Sequence, residues 1–474
     1  MSDLWTAAQA MKATGGVLAG DEWTATGITF DSREVAPGDL FVAIKGIRDG
    51  HDFVADAFEK GAVAALISDG CPGLEMDANR IAVPDTQEAL EQLGVFRRAN
   101  VDAKICAITG SAGKTGTKEA LAHCLAPSGE THASVKSFNN YLGVPLTLAR
   151  MPQDTEFGVF EVGMNHPGEI VALSKMVRPH VAIVTTVQPV HLEFFKSVEA
   201  IADAKGEIFA GMEPDGTAIL NRDSVHFERL RSHAEKAGVE TILAFGKHKE
   251  ADLHLTDLAL GPDASSVRAT ICGEAVTYKV GAPGRHLVMN SLAVMGAVKV
   301  MGADLALAGF EYAKLQAADG RGRRYSVELS GGALTVVDES YNANPASMRA
   351  TIETLGASTP GPRGRRIAVL GDMLELGPNG PSFHAEIAEA INTSNIDMVF
   401  CSGPLMANLW DALPDIRRGL YGASSKDLVE AVKAECHGGD IVMIKGSLGS
   451  AMKPIVDTLV AQSKLAQNQS DEKE

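Results

Sequence analysis

Short apolar runs separated by polar loops make up most of the chain, and their spacing changes character twice. In the first hundred residues, strand-like runs at 27–30, 40–44 and 62–67 lead into an amphipathic helix over 86–100, the pattern of a small α/β domain. From Lys104 the runs 104–108, 157–161, 180–185 and 217–220 are separated by helical stretches, which predicts a largely parallel sheet. A glycine- and arginine-rich break at 320–324 ends that pattern. Beyond it the runs 334–337, 367–370, 398–401 and 441–444 alternate with helices again, predicting a second doubly wound unit. The polar tail from 466 to 474 is expected to fray. With 474 residues and roughly 150 per domain as a prior, the boundaries fall at 1–101, 102–315 and 316–474.

Composition narrows the function classes. Lys and Arg total 43 against 60 Asp and Glu, a net charge of -17 that disfavours nucleic acid or an anionic membrane as a partner held by charge alone. Anionic substrates need local basic pockets. The six cysteines, at 71, 106, 124, 272, 401 and 436, have neither CxxC spacing nor clustering, so neither a disulfide framework nor a zinc site is indicated. The first ten residues lack the basic start and apolar core of a leader, and no run nears the ~18 apolar residues of a membrane span. A cytoplasmic protein with no membrane insertion is expected.

One loop carries most of the chemistry. Gly110-Ser111-Ala112-Gly113-Lys114-Thr115 follows the run ending at Ile108 and precedes a helix pattern near Thr117. Strand, glycine loop and helix start make a cradle for anionic oxygens, in which Lys114 supplies a point charge and the Thr115 hydroxyl can ligate Mg²⁺. The loop departs from the strict eight-residue form because Ile108 stands where the first glycine is required, and a purely structural glycine turn is the competing reading. A nucleoside triphosphate is the expected ligand.

Polar residues just beyond other runs are the next candidates, because ligands of open α/β sheets gather at the strands' carboxyl ends. Glu161 and His191 suit Mg²⁺ held near phosphates, although an ordinary ion-pair partner and a structural histidine fit as well. The helical spacing over 197–209 sets Lys205 beside an apolar face, where most lysines merely extend to solvent. Tyr341-Asn342-Ala343-Asn344-Pro345 can bond a ribose or a peptide, or simply cap a helix. Asp372 follows the run 367–370, and Lys445-Gly446-Ser447 follows the run 441–444.

Together these motifs resemble the Mur ligases, ATP-dependent amide-forming enzymes of peptidoglycan synthesis. The resemblance covers nearly the whole chain: Asp31-Ser32-Arg33, Pro37-Gly38-Asp39-Leu40-Phe41, the short glycine loop, Asn139-Asn140 with Gly143-Val144-Pro145, and Glu161-Val162-Gly163-Met164-Asn165-His166-Pro167-Gly168. It continues through His191, Lys205, Asn290, Gly322-Arg323, the Tyr341–Pro345 loop and Gly371-Asp372-Met373. It implies an α/β protein of three domains: a small N-terminal α/β domain for the UDP substrate, a central P-loop-type ATPase domain with a mostly parallel sheet, and a C-terminal Rossmann-like domain for the incoming amino component.

Carried over by resemblance, Ser32 and Arg33 recognise the nucleotide sugar. Gly110, Ser111, Ala112, Gly113, Lys114, Thr115, Asn290, Arg323 and Asp338 serve ATP. Thr115, Glu161, His191 and Lys205 serve Mg²⁺, with Lys205 as a CO₂-derived carbamate, and Lys114, Lys205, His191 and Glu161 carry catalysis. Asn139, Asn140, Tyr341, Asn342, Asn344 and Asp372 line the substrate side. The implied substrates are UDP-N-acetylmuramoyl-tripeptide and D-alanyl-D-alanine, and a monomer is expected. The Asp-Asn-Pro-Arg signature of the diaminopimelate-adding sister enzyme is missing, which favours dipeptide addition over the sister ligases and folylpolyglutamate synthetase. A regulatory ATPase keeps the glycine loop but has no need of Lys205 or Asn290. The last loop departs from the family: Leu448 follows Ser447 where arginine is common, and Lys453 follows Met452 where glutamate is common.

Overall fold

The computed structural model describes residues 3–68, 78–135, 137–189, 193–261, 264–317, 319–329 and 331–471. Among these, five short strands run in the order Val17–Ala19, Arg80–Ala82, Ala64–Ile67, Asp39–Val42 and Gly27–Thr29, parallel except at the Val17–Ala19 edge. The helix Thr86–Ala99 begins at Asp85, whose carboxylate accepts the amides of Gln87 and Glu88 and so satisfies two donors of the first turn. Its inner residues Leu90 and Leu93 join Leu40, Leu66 and Ile81 in one buried cluster that also takes in Leu146 and Ala149. The first sheet therefore shares its core with the helix Gly143–Ala149 of the next unit. Gly94 permits that approach, since a β-carbon there would lie 2.9 Å from the Pro145 carbonyl. Hydrogen bonds fasten the joint: Arg150 Nε donates to the Ile28 carbonyl and Trp5 Nε1 to the Ala149 carbonyl, both at 2.8 Å.

The central sheet has nine strands, in the order Glu274–Val280, Ser265–Ile271, Leu253–Leu260, Thr241–Gly246, Thr217–Asn221, Val181–Val184, Lys104–Thr109, Phe157–Glu161 and Thr131–Ala133. The last seven of these are mutually parallel. Ile105, Cys106, Ala107 and Ile108 are all fully buried, as both faces of the sheet are covered. The expected alternation with helices fails between 253 and 280, where two antiparallel pairings replace it. Cys272 and Gly273, at φ +48° and +83°, supply the two left-handed residues of a tight hairpin turn. Ser265–Ile271 is buried at every second residue, a period that a search for continuous apolar runs passes over. The helical pattern over 197–209 becomes an α-helix, Val198–Gly206, followed by a 3₁₀ turn, Glu207–Gly211.

The third sheet orders Arg323–Leu329, Gly332–Glu339, Ile441–Lys445, Arg366–Gly371, Met398–Ser402 and Arg418–Gly422, parallel after the first hairpin. The final helix runs Lys453–Asp471, so it takes in much of the tail expected to fray. Beyond Pro454 that stretch holds no glycine or proline, and its three Gln, two Ala and two Leu favour a helix. No helix among the described residues is long and apolar enough to cross a membrane. Cys106, Cys124, Cys272, Cys401 and Cys436 are free thiols.

Candidate active site

The strand Lys104–Thr109 lies between Val181–Val184 and Phe157–Glu161, where the strand order of the central sheet reverses. Such a reversal opens a crevice beyond the strand ends. Gly110 begins the loop at φ +152°, and a β-carbon on it would collide with the Thr185 hydroxyl. The loop is tied down from that side: the Ser111 amide donates to the Thr186 carbonyl at 2.8 Å, and Thr185 Oγ1 to the Ala112 carbonyl at 2.6 Å. Gly113, at φ +82°, then starts the helix Lys114–Leu125 with no side-chain cap. The first-turn amides lack intrahelical acceptors and sit at the positive end of the helix dipole, which suits an anion. Lys114 Nζ curls back to donate to the Gly110 carbonyl at 2.9 Å. Burial lowers its pKa, and the charge of Glu161 pulls the other way.

Thr115, Glu161 and Asn139 form a tight group beside this cradle. Thr115 Oγ1 donates to one oxygen of the buried Glu161 carboxylate at 2.7 Å, and Asn139 Nδ2 to the other at 2.6 Å. One carboxylate and one hydroxyl next to a phosphate cradle fit Mg²⁺, which takes few protein ligands and completes its shell with water and phosphate oxygens. No cluster of three or more His, Cys, Asp or Glu side chains gathers among the described residues, so any cation here depends on that shared shell.

The opposite wall comes from the C-terminal domain. A cleft of about 380 Å³ is lined on one side by the glycine loop, Asn139, Asn140, Glu161 and Asn290, and on the other by Arg321, Tyr341, Asn342, Asn344 and Lys445. The Arg321 guanidinium lies 4.1 Å from the centre of the Tyr341 ring and has no carboxylate partner among the described residues. A cation so placed can take up a phosphoryl group. Lys445 is buried, donating to Glu339 at 3.1 Å and to the Asn342 carbonyl at 3.0 Å.

The other anticipated residues are distributed as follows. Asn290 touches the loop, since a β-carbon on Gly113 would lie 2.5 Å from its Nδ2. Lys205 is buried in the helix Val198–Gly206, and burial together with the charge of Lys114 lowers its pKa well below the usual value. Arg323 does not line the cleft: it is ion-paired to Asp319 at 2.5 Å, and Arg321, which the sequence reading passed over, stands there instead. Asp338 is fully buried and accepts from Lys453 at 2.8 Å, Ser340 Oγ at 2.6 Å and the Gly320 amide at 3.0 Å, so it shapes the turn carrying Arg321.

Several side chains have local structural partners. Asn344 caps the helix Pro345–Ala357 reciprocally with Ser347, and Asn140 Oδ1 accepts the Gly143 amide at 2.9 Å ahead of the helix Gly143–Ala149. Asp372 accepts the Met406 amide at 2.8 Å. Ser32 and Arg33 lie in the N-terminal domain, where Arg33 pairs with Asp31 and Lys60 holds the Ser32 carbonyl. His191 lies outside the described residues.

The phosphate cradle faces a second α/β domain across a cleft lined by Lys114, Arg321 and Lys445 together with Glu161, Glu169 and Glu339, and the chain is an ATP-dependent ligase that belongs to the Mur ligase family. The Mur ligase family catalytic domain matches residues 24–98, the Mur ligase middle domain 108–298, and the Mur ligase glutamate ligase domain 322–448. A relative from Rickettsia prowazekii (strain Madrid E), named UDP-N-acetylmuramoyl-tripeptide–D-alanyl-D-alanine ligase, is 33% identical over 91% of this chain and 94% of its own. The crystal structure of MurF from Acinetobacter baumannii superposes with a TM-score of 0.84 at 28% identity, covering 96% of this chain and 99% of that one. MurF ligase from Thermotoga maritima in complex with ADP gives 0.78 at 26% identity, covering 93% and 98%.

Proposed function

We propose that this protein joins D-alanyl-D-alanine to UDP-N-acetylmuramoyl-tripeptide at the expense of ATP, giving the UDP-linked pentapeptide precursor of peptidoglycan. The observation that carries the reading is the cleft itself, which faces the Lys114 loop and the Thr115–Glu161 pair with Arg321, Tyr341 and Lys445 of another domain. Relatives of nearly full length bear the name of this activity. The N-terminal domain, with Ser32 and Arg33, is assigned the UDP part of the substrate. The central domain is assigned ATP, and the C-terminal domain the dipeptide.

A free carboxylate is a poor electrophile, so the tripeptide carboxylate is first phosphorylated and the dipeptide amine then displaces phosphate. Lys114 and the loop amides hold the phosphate oxygens, and Arg321 offsets charge on the transferred group from the opposite side. Thr115 and Glu161 are assigned to a Mg²⁺ ion, whose charge when bound adds to that of the lysine and arginine. Closure of the two walls excludes water from the acyl phosphate. Lys205 is assigned as a carbamate: its amine, whose pKa burial and the charge of Lys114 lower, adds in its unprotonated form to CO₂ and releases a proton, leaving an anion near Lys114. The compartment that fits these soluble substrates and free thiols is the cytoplasm.

Phosphate release from ATP and Mg²⁺ in the presence of UDP-N-acetylmuramoyl-tripeptide, with and without D-alanyl-D-alanine, tests the reading when the product is weighed by mass spectrometry. A pentapeptide product only when both substrates are present is expected. Hydrolysis indifferent to either substrate would refute it, and turnover with a single amino acid would assign the chain to a sister ligase.

A further inference from the structure

Ser137 has no place in the chemistry described so far, yet both walls of the cleft meet at its hydroxyl. From the C-terminal domain Tyr341 OH lies 2.9 Å from Ser137 Oγ and an Arg321 nitrogen lies at 3.4 Å. From the glycine loop Thr115 Oγ1 lies 3.4 Å away. Tyr341 and Arg321 also stack on each other, so they dock on Ser137 as one unit.

Counting protons sets the direction of these bonds. An ionised carboxylate only accepts, so the Thr115 hydroxyl gives its single proton to Glu161 at 2.7 Å. Thr115 must then accept from Ser137. The Ser137 proton is thereby used, leaving its lone pairs for the Tyr341 hydroxyl and for Arg321. The chain runs Tyr341 to Ser137 to Thr115 to Glu161, and the charge on Glu161 sets its polarity. With Tyr341 and Arg321 removed, Ser137 Oγ is free to rotate away from Thr115, whose proton stays on Glu161 while its lone pairs lose the donor that fixes them. Docking of the C-terminal domain therefore orients the hydroxyl assigned to the cation. The long 3.4 Å contact to Thr115 is weak enough for a cation to replace it.

We infer that Ser137 is a positioning residue that couples docking of the C-terminal domain, through Tyr341 and Arg321, to the orientation of Thr115 at the cation site. This rests on the ligase reading and adds a residue that the reading itself does not use.

The test is a double-mutant cycle of Ser137→Ala and Tyr341→Phe in the full chain, with kcat and KM for each substrate measured by pentapeptide formation and the Mg²⁺ midpoint measured without turnover, by isothermal titration of Mg²⁺ into the protein with ADP bound. Each single variant should lower kcat about tenfold, the worth of one hydrogen bond, and raise the Mg²⁺ midpoint. KM for the UDP substrate should stay within about twofold. The double variant should be no slower than the worse single one, because both break the same chain. Ser137→Thr, which keeps the hydroxyl, should restore most of the rate and the Mg²⁺ midpoint. Multiplicative losses in the double variant, or an unmoved Mg²⁺ midpoint, would overturn the inference. If Ser137→Ala does not fold, Tyr341→Phe alone decides it through the midpoint. Wild-type protein that makes no pentapeptide would count against the ligase reading instead.

Discussion

Replacing Lys205 by alanine separates a functional lysine from a merely tolerated one. The residue is 3% exposed, the charge of Lys114 acts on it, and burial drives its pKa well down. The substitution removes three methylenes, a loss of about 2.4 kcal/mol at about 0.8 kcal/mol per group. It also removes an amine whose protonated form is both desolvated and repelled, a gain of opposite sign. Net stability should therefore change by less than about 2 kcal/mol, and the thermal transition should stay cooperative. Ligation should behave differently, falling by about 10²–10³, the usual cost of deleting one electrostatic stabiliser of a transition state. Acetate or formate, small enough for the vacated space, should restore part of the rate. The pH sign follows from the same depression. Between the folded-state pKa of Lys205 and its unfolded value the unfolded chain binds more protons, so stability rises with pH across that window. Carbamate formation, which needs the neutral amine, rises as pH passes the folded-state value. Activity of Lys205→Ala within twofold of wild type would refute the reasoning. A loss that no carboxylate rescues, accompanied by a collapsed thermal transition, would reduce Lys205 to a packing role.

Gly113→Ala should leave a folded protein but raise KM for ATP at least about tenfold, since the new β-carbon meets Asn290 at 2.5 Å and the backbone sits at φ +82°; isothermal titration with ATP checks it. Arg33→Ala should raise KM for the UDP substrate and leave the urea midpoint nearly unmoved, because its ion-pair partner is Asp31 and its side chain is 76% exposed; steady-state kinetics beside urea unfolding separate the two effects. His132 is half-buried, donating to the Thr147 carbonyl, and loss of solvent around the ring takes its pKa from 6.5 to about 4. Its folded-state value is depressed, so stability is lost as pH falls from 6.5 to about 4, by about 3 kcal/mol in all. Denaturant titrations across that range should show a shallower slope in His132→Gln than in the wild type, the remainder coming from His180, His286 and His384, whose pKa values burial also lowers; equal slopes would refute it.

Much of this protein is legible in one dimension because its chemistry uses neighbouring residues. The glycine loop must follow a strand and open a helix, so its parts are contiguous and the sequence identifies them. Fully covered parallel strands read as unbroken apolar runs, which is why 157–161 is recognised residue for residue. The hairpins between 253 and 280 were hidden because one exposed face breaks the apolar run.

Other assignments wait on the fold. Arg321 and Arg323 are two residues apart and chemically alike. The Asp338 carboxylate and carbonyl receive the amides of Gly320 and Gly322, which turns Arg321 into the cleft, while Arg323 begins a strand and pairs with Asp319. Ser137 and Tyr341 stand 204 positions apart, a separation that no local pattern spans. The sequence alone determined the covered parallel strands, the glycine loop and the helix that follows it, because local geometry and burial act over a few residues. Only the packing of the C-terminal domain against the loop decided which arginine, tyrosine and serine line the cleft, because that choice depends on distances through space.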